Sequence, residues 1–192
     1  MKNLLAFFVL FFSPFLFAED ITDFQIEEIS IGDSLLDYIS ELEIKKNIRQ
    51  NSYEGSDHKF YDIEIYDSSL LKTYDGLQIT MLTNDNKYIV QSIGGGIFFE
   101  SNIEKCHKKQ DEIDKDLLVI FKDIDREYNP NIIHKGYANS TLRTIRYYFE
   151  SGAELALTCY DWDNKNVNVD DYLLLSMDGE EFTNWLIDYY NN

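Results

Sequence analysis

Residues 101–124 restrict the fold more than any other stretch, because they carry one apolar stripe at helical spacing with a cysteine in it. Ile103, Cys106, Gln110, Ile113, Leu117, Ile120, Phe121 and Ile124 keep to a single helical face, with Gln110 its only polar member. Ser101-Asn102-Ile103-Glu104 has the form of a capping box, with Ser101 at N-cap and Glu104 at N3. The spacing predicts a long amphipathic helix. Burying several such side chains, at about 1.5 to 3 kcal/mol each, makes it the main contributor to a core. The other cysteine, Cys159, lies in an apolar run with Leu155, Ala156 and Leu157. A helix tied to that run would fix how the two halves of the chain meet.

Whether the cysteines pair depends on the compartment, and the N-terminus speaks to that. Met1-Lys2-Asn3 precedes an apolar block over residues 4–17, broken by Ser13 and Pro14, and then Ala18-Glu19-Asp20. This is the pattern of a secretory signal peptide over residues 1–18, cleaved after Ala18. A block of about 14 residues is too short to span a bilayer, which takes roughly 20. The expectation is export to the periplasm or the exterior, with Cys106 and Cys159 joined in an oxidising compartment. Closing a loop of about 53 residues would contribute roughly 4 kcal/mol on the chain-entropy model.

Residues 19–192 then form a single α+β domain with pseudo-halves over about 19–100 and 101–192. In the first half, residues 20–31 read as an extended lead-in. Asp33 reads as the N-cap of a helix that ends near Asn47, with Leu35, Leu36, Ile39 and Leu42 on one face. Period-two alternation follows at Tyr61, Ile63 and Ile65, then at Leu77, Ile79 and Met81, and a hairpin through Asn84-Asp85-Asn86 returns at 88–93. Gly94-Gly95-Gly96 fits no phosphate-binding pattern and reads as a bend or bulge where the strand leaves the sheet.

In the second half, residues 126–140, with Pro130 and Gly136, read as a long connection and one place for a binding surface. Strands follow at Arg143, Ile145, Tyr147 and Phe149, at Leu155, Leu157 and Cys159, and at 172–177. Asp178 caps a closing helix with Glu181 at N3. The order predicts two α-β-β-β units forming antiparallel sheet, packed by the long central helix, with a short C-terminal helix.

Chemistry-bearing patterns are sparse. Asp161, Asp163, Asn164, Asn166, Asn168, Asp170 and Asp171 crowd one loop in the manner of oxygen ligands for calcium. Lys165 takes a ligand position, however, and the glycine of the EF-hand is absent, so a solvated loop is expected and no metal site. His58, His107 and His134 match no zinc spacing, and neither cysteine nor any serine stands in a nucleophile signature. No cofactor is expected. The formal charge of −18 excludes nucleic acid and anionic membrane surfaces as partners. Tyr147, Tyr148, Tyr160, Trp162, Trp185, Tyr189 and Tyr190 are candidates to line a partner groove.

Two segments carry a resemblance. FQIEEISIGDSLLDY at 24–38 and SGAELALTCYDW at 151–162 resemble those of an uncharacterised family of small exported proteins of marine alphaproteobacteria. The resemblance implies a periplasmic location and no known activity. The element order is also similar to α-β repeats of small periplasmic inhibitor and outer-membrane-assembly modules. The expected function is binding of a protein or small ligand in the cell envelope without chemistry. The alternatives are a hydrolase using acidic residues and a purely structural periplasmic component.

Overall fold

Among the described residues, seven strands alternate in direction across one antiparallel sheet: β1 (Phe60–Ile65), β2 (Gly76–Leu82), β3 (Val90–Phe98), β4 (Asp125–Ile133), β5 (Thr141–Tyr148), β6 (Glu154–Asp161) and β7 (Tyr172–Asp178). Their spatial order is β1-β2-β3-β7-β6-β5-β4. Two three-stranded meanders, β1–β3 and β4–β6, are thus joined by the last strand, which bonds to β3 on one side and β6 on the other. The computed structural model describes residues 20–49, 53, 58–137, 139–163 and 168–191. The proposed signal peptide and its cleavage site at Ala18 lie outside the described residues.

The α+β class holds, with the sheet dominant, but the two α-β-β-β units do not. Among the described residues the second half supplies four strands, because most of the expected connection at 126–140 belongs to the edge strand β4 over Asp125–Ile133. No position of β4 is buried on either face, so no alternation marks it in sequence, and Pro130 falls where its pairing with β5 shifts register. The helix expected to end near Asn47 is also absent. A 3₁₀ turn at Leu35–Asp37 precedes a short α1 (Glu41–Lys46), which is capped by Ser40. Asp33 does not cap a helix there; its carboxylate accepts from the Ser30 amide at 2.9 Å and the Tyr38 hydroxyl at 2.7 Å. The lead-in is a 3₁₀ turn at Ile21–Asp23 and a tight Ile26–Ile29 bridge instead of a strand.

The glycine run stays inside β3. Gly94, Gly95 and Gly96 pair with Ser176, Leu175 and Leu174 of β7 and with Gln78, Leu77 and Gly76 of β2. A Cβ on Gly95 would lie 2.5 Å from the ring of Tyr74, and one on Gly94 would lie 2.9 Å from Leu174. The glycines make room for these side chains; they do not bend the strand.

One face of the sheet holds the core. Ile63, Ile79, Ile93, Met177, Leu155 and Tyr147 stand opposite one another across six strands, all buried. The helix α2 (Ile103–Ile120) lies on this face against β6 and β7. It starts one residue later than the expected box, with Asn102 as N-cap accepting from the Lys105 amide at 3.1 Å. A disulfide joins Cys106 of α2 to Cys159 of β6, with 6.0 Å between their Cα atoms. One turn on, buried Gln110 donates from Nε2 to the carbonyls of Arg143 and Leu157, each at 2.8 Å. Asp114 accepts from Arg126 Nε and Nη2 at 2.9 and 2.8 Å and from the Tyr147 hydroxyl at 2.6 Å. The N-terminal segment covers the remainder, with Phe24 set against Phe121 at 4.9 Å.

The helix α3 (Glu180–Asn191) lies on the other face, where Phe182 and Trp185 sit 5.2 and 5.1 Å from Phe60 of β1. Asp178 does not cap it. That residue ends β7 and turns its side chain to Ser92, and Gly179 separates it from the first helical residue.

Candidate binding face

The face beneath α3 is unusually polar for a covered sheet, and register explains where its groups meet. Asp62 stands opposite Thr80, Thr80 opposite Ser92, Ser92 opposite Asp178, Asp178 opposite Glu154, and Glu154 opposite Tyr148. Cross-strand partners share a face with Cβ atoms about 4.5 to 5.5 Å apart, so these six side chains form a transverse row. At one end, Asp62 accepts from Thr80 Oγ1 at 2.7 Å, Tyr53 Oη at 2.9 Å and Gln78 Nε2 at 3.0 Å. Ser92 Oγ donates to Asp178 Oδ1, and Arg146 Nε lies 3.0 Å from Glu154 Oε1.

Burial pushes all three carboxyls above the usual carboxylate range. For Asp62, hydrogen bonds from Thr80, Tyr53 and Gln78 work against that rise. Asp178 goes up to about 6, against the Ser92 bond and the Arg146 charge and with help from Asp62. Glu154 goes up to about 7, against Arg146 and with help from Asp178 and Glu127. The like charges of Glu154 and Asp178 oppose full ionisation of both.

Further along the same face, about 20 Å down the strands at 3.3 Å per residue, aromatic rings form a second row. Tyr66 and Phe98 lie 6.4 Å apart, Phe98 and Tyr172 5.8 Å, and Tyr172 stacks on Tyr160 at 4.4 Å. Tyr160 stacks on Trp162 at 5.7 Å, which meets His134 and Tyr137 at 5.1 and 5.3 Å. Tyr66 is 58% exposed, Tyr137 48% and Phe98 38%, so the row is open to solvent at both ends and inside it. Acids border it: the Tyr66 hydroxyl donates to Glu64 at 3.2 Å, Asp75 accepts from the Phe98 amide at 2.9 Å, and Asp163 follows Trp162 in the chain. Beyond the end of β4, Lys135 Nζ rests 5.3 Å from the Tyr190 ring, a cation held on an aromatic face.

No family model, curated protein or solved structure matches the chain.

The residues singled out in the sequence are therefore judged by their placement. Tyr160 and Trp162 belong to the aromatic row, Trp185 and Tyr189 pack on Tyr53, and Tyr147 is buried on the core face. Tyr148 donates to Glu127 at 2.6 Å on the β5–β4 edge. Sequence reading missed Tyr66, Phe98, Tyr137 and Tyr172, whose common face depends on register between strands far apart in the chain. The three histidines stay apart, on the residue before Lys59 and β1, on α2, and after β4. His107 lines a depression of about 430 Å³ with Lys108, Asp111, Glu112 and Arg143, where opposite charges alternate. His134 accepts on Nδ1 from the Gly136 amide at 3.0 Å, and burial holds it below its ordinary value. In the acidic loop, Asn164 and Asn166 lie outside the described residues. Asp171 is buried and accepts from the Trp162 amide at 3.1 Å. Among the described residues no group of three or more His, Cys, Asp or Glu is placed to hold a metal.

Proposed function

We propose that the protein is an exported interaction protein of the cell envelope with no chemistry of its own. Its contact surface is the aromatic row from Tyr66 to Tyr137, and its partner is a cationic protein segment. The observation that carries this reading is the solvent-open run of rings bordered by Glu64, Asp75 and Asp163 on a chain of formal charge −18. Aromatic side chains are enriched where proteins meet, and a negative surround draws in positive charge and holds it against ring faces. The leader-like residues 1–18 support the location, as does the Cys106–Cys159 bridge. The hydrolase reading would fall to Glu154 and Asp178, but Ser92 and Arg146 already engage both carboxyls.

Titration with a decalysine peptide, followed by calorimetry at moderate salt, tests the surface. Trp162→Ala combined with Phe98→Ala removes two rings and no charge, and should weaken binding at least about tenfold. Glu112→Gln on α2 removes one charge far from the rings and should leave binding within about twofold. Equal affinity for the ring variant and the native protein would overturn the proposed surface.

A further inference from the structure

Glu154 and Asp178 stand at the far end of the strands from the aromatic row, and the proposed contact needs neither of them. They stand directly opposite each other across β6 and β7, on one face of the sheet. Arg146 from β5 is the cation that faces them. Negative charge reaches Asp178 from Asp62 on β1 and Glu154 from Glu127 on β4, and the Glu180 side chain at the start of α3 abuts Gly152 in the turn before β6. Hydroxyls of Ser92 of β3, Tyr148 of β5 and Tyr53 also face the row, and the charge of Asp178 is felt by the Tyr160 hydroxyl from further along β6. Among the described residues Arg146 is the cation that acts on both members of the pair, while Arg49 acts on Asp62.

The pair is also mechanically joined to α3. Gly179 follows Asp178 directly and donates to the Gln91 carbonyl at 2.9 Å, and a Cβ at Gly179 would stand 3.1 Å from that oxygen. Thr183 in the first turn of α3 bonds back through its amide to the Gly179 carbonyl at 2.9 Å and through its hydroxyl to the Asp178 carbonyl at 3.4 Å. A shift of Asp178 away from Glu154 therefore moves the first turn of α3, and with it Phe182 and Trp185 on Phe60.

We propose that Glu154 and Asp178 form a proton-operated latch for α3. While at least one of them keeps its proton, the ends of β6 and β7 and the helix start are held together; when both are ionised, their repulsion loosens the first turn. The sign follows from the raised carboxyl values of about 7 and about 6. The folded protein keeps protons that the unfolded chain has released, so the contribution is complete below the ordinary carboxylate range and is lost as pH rises through 6 to 7.

The test follows Trp185 emission in a Trp162→Phe background, together with the melting temperature, from pH 5 to pH 8. The expected result is a red shift and a fall of about 5 °C with rising pH. Asp178→Asn, which keeps the acceptor for Ser92, should abolish the red shift and cut the fall in melting temperature to the part carried by buried Glu154 alone, and Glu112→Gln, which lowers surface charge alone, should preserve both changes. The same response in Asp178→Asn would overturn the latch. Side-chain carboxyl carbon resonances of the native protein decide the matter even if the variant fails to fold. Titration of the pair near neutrality supports the latch, and full ionisation of both groups at pH 5 overturns it.

Discussion

Glu27 and Glu28 both lie in the left-handed region, with φ of 51° and 71°, in the two-residue turn that closes the Ile26–Ile29 bridge. Side chains bearing a Cβ are strained there, by about 1 to 2 kcal/mol per residue. Glu27 offsets its strain: its Oε1 accepts from the consecutive amides of Lys72, Thr73 and Tyr74 at 2.8, 2.6 and 2.9 Å. The Glu28 side chain makes an exposed ion pair with Lys72, which is worth little. Glu28→Gly should therefore stabilise the fold by about 1 kcal/mol, read as a raised urea midpoint; an unchanged or lowered midpoint would refute the strain. Neither this turn nor the polar row was legible in the sequence. Asp62, Glu154 and Asp178 sit at positions where alternation predicts an outward polar side chain. Their meeting depends on the alignment of β1, β2, β3, β7 and β6, which no local pattern encodes.

At the scale of elements, legibility follows burial. α2 and the strands with a buried face could be read directly, because periodicity records which side meets the core. β4 could not, since it meets no core on either side. β3 was misread at Gly94–Gly96 because the demand for glycine comes from neighbouring side chains and not from its own backbone. That distinction can be measured. Gly95→Val drives a branched side chain into the ring of Tyr74, itself only 8% exposed, and should cost about 3 kcal/mol. Gly96→Ala meets nothing closer than 3.8 Å and should change the urea midpoint little. Similar losses for the two variants would show that backbone conformation, and not the ring, selects glycine here.

For the molecule as a whole, the Cys106–Cys159 bridge joins the helix between the meanders to a strand of the second one. The pairing was legible because the chain has two cysteines and therefore one possible connection. Cys106→Ser with Cys159→Ser should lower the free energy of unfolding by about 2 to 5 kcal/mol, measured by urea denaturation; no loss would mean that Gln110 and the apolar stripe suffice to seat α2. The position of β7 governs the order of assembly. Each meander can zip from short hairpins, but the strip that welds them is the last strand of the chain. A polypeptide emerging N-terminus first must therefore wait, with the long flanks of β3 and β6 unsealed, until residues 172–178 arrive to close the seam.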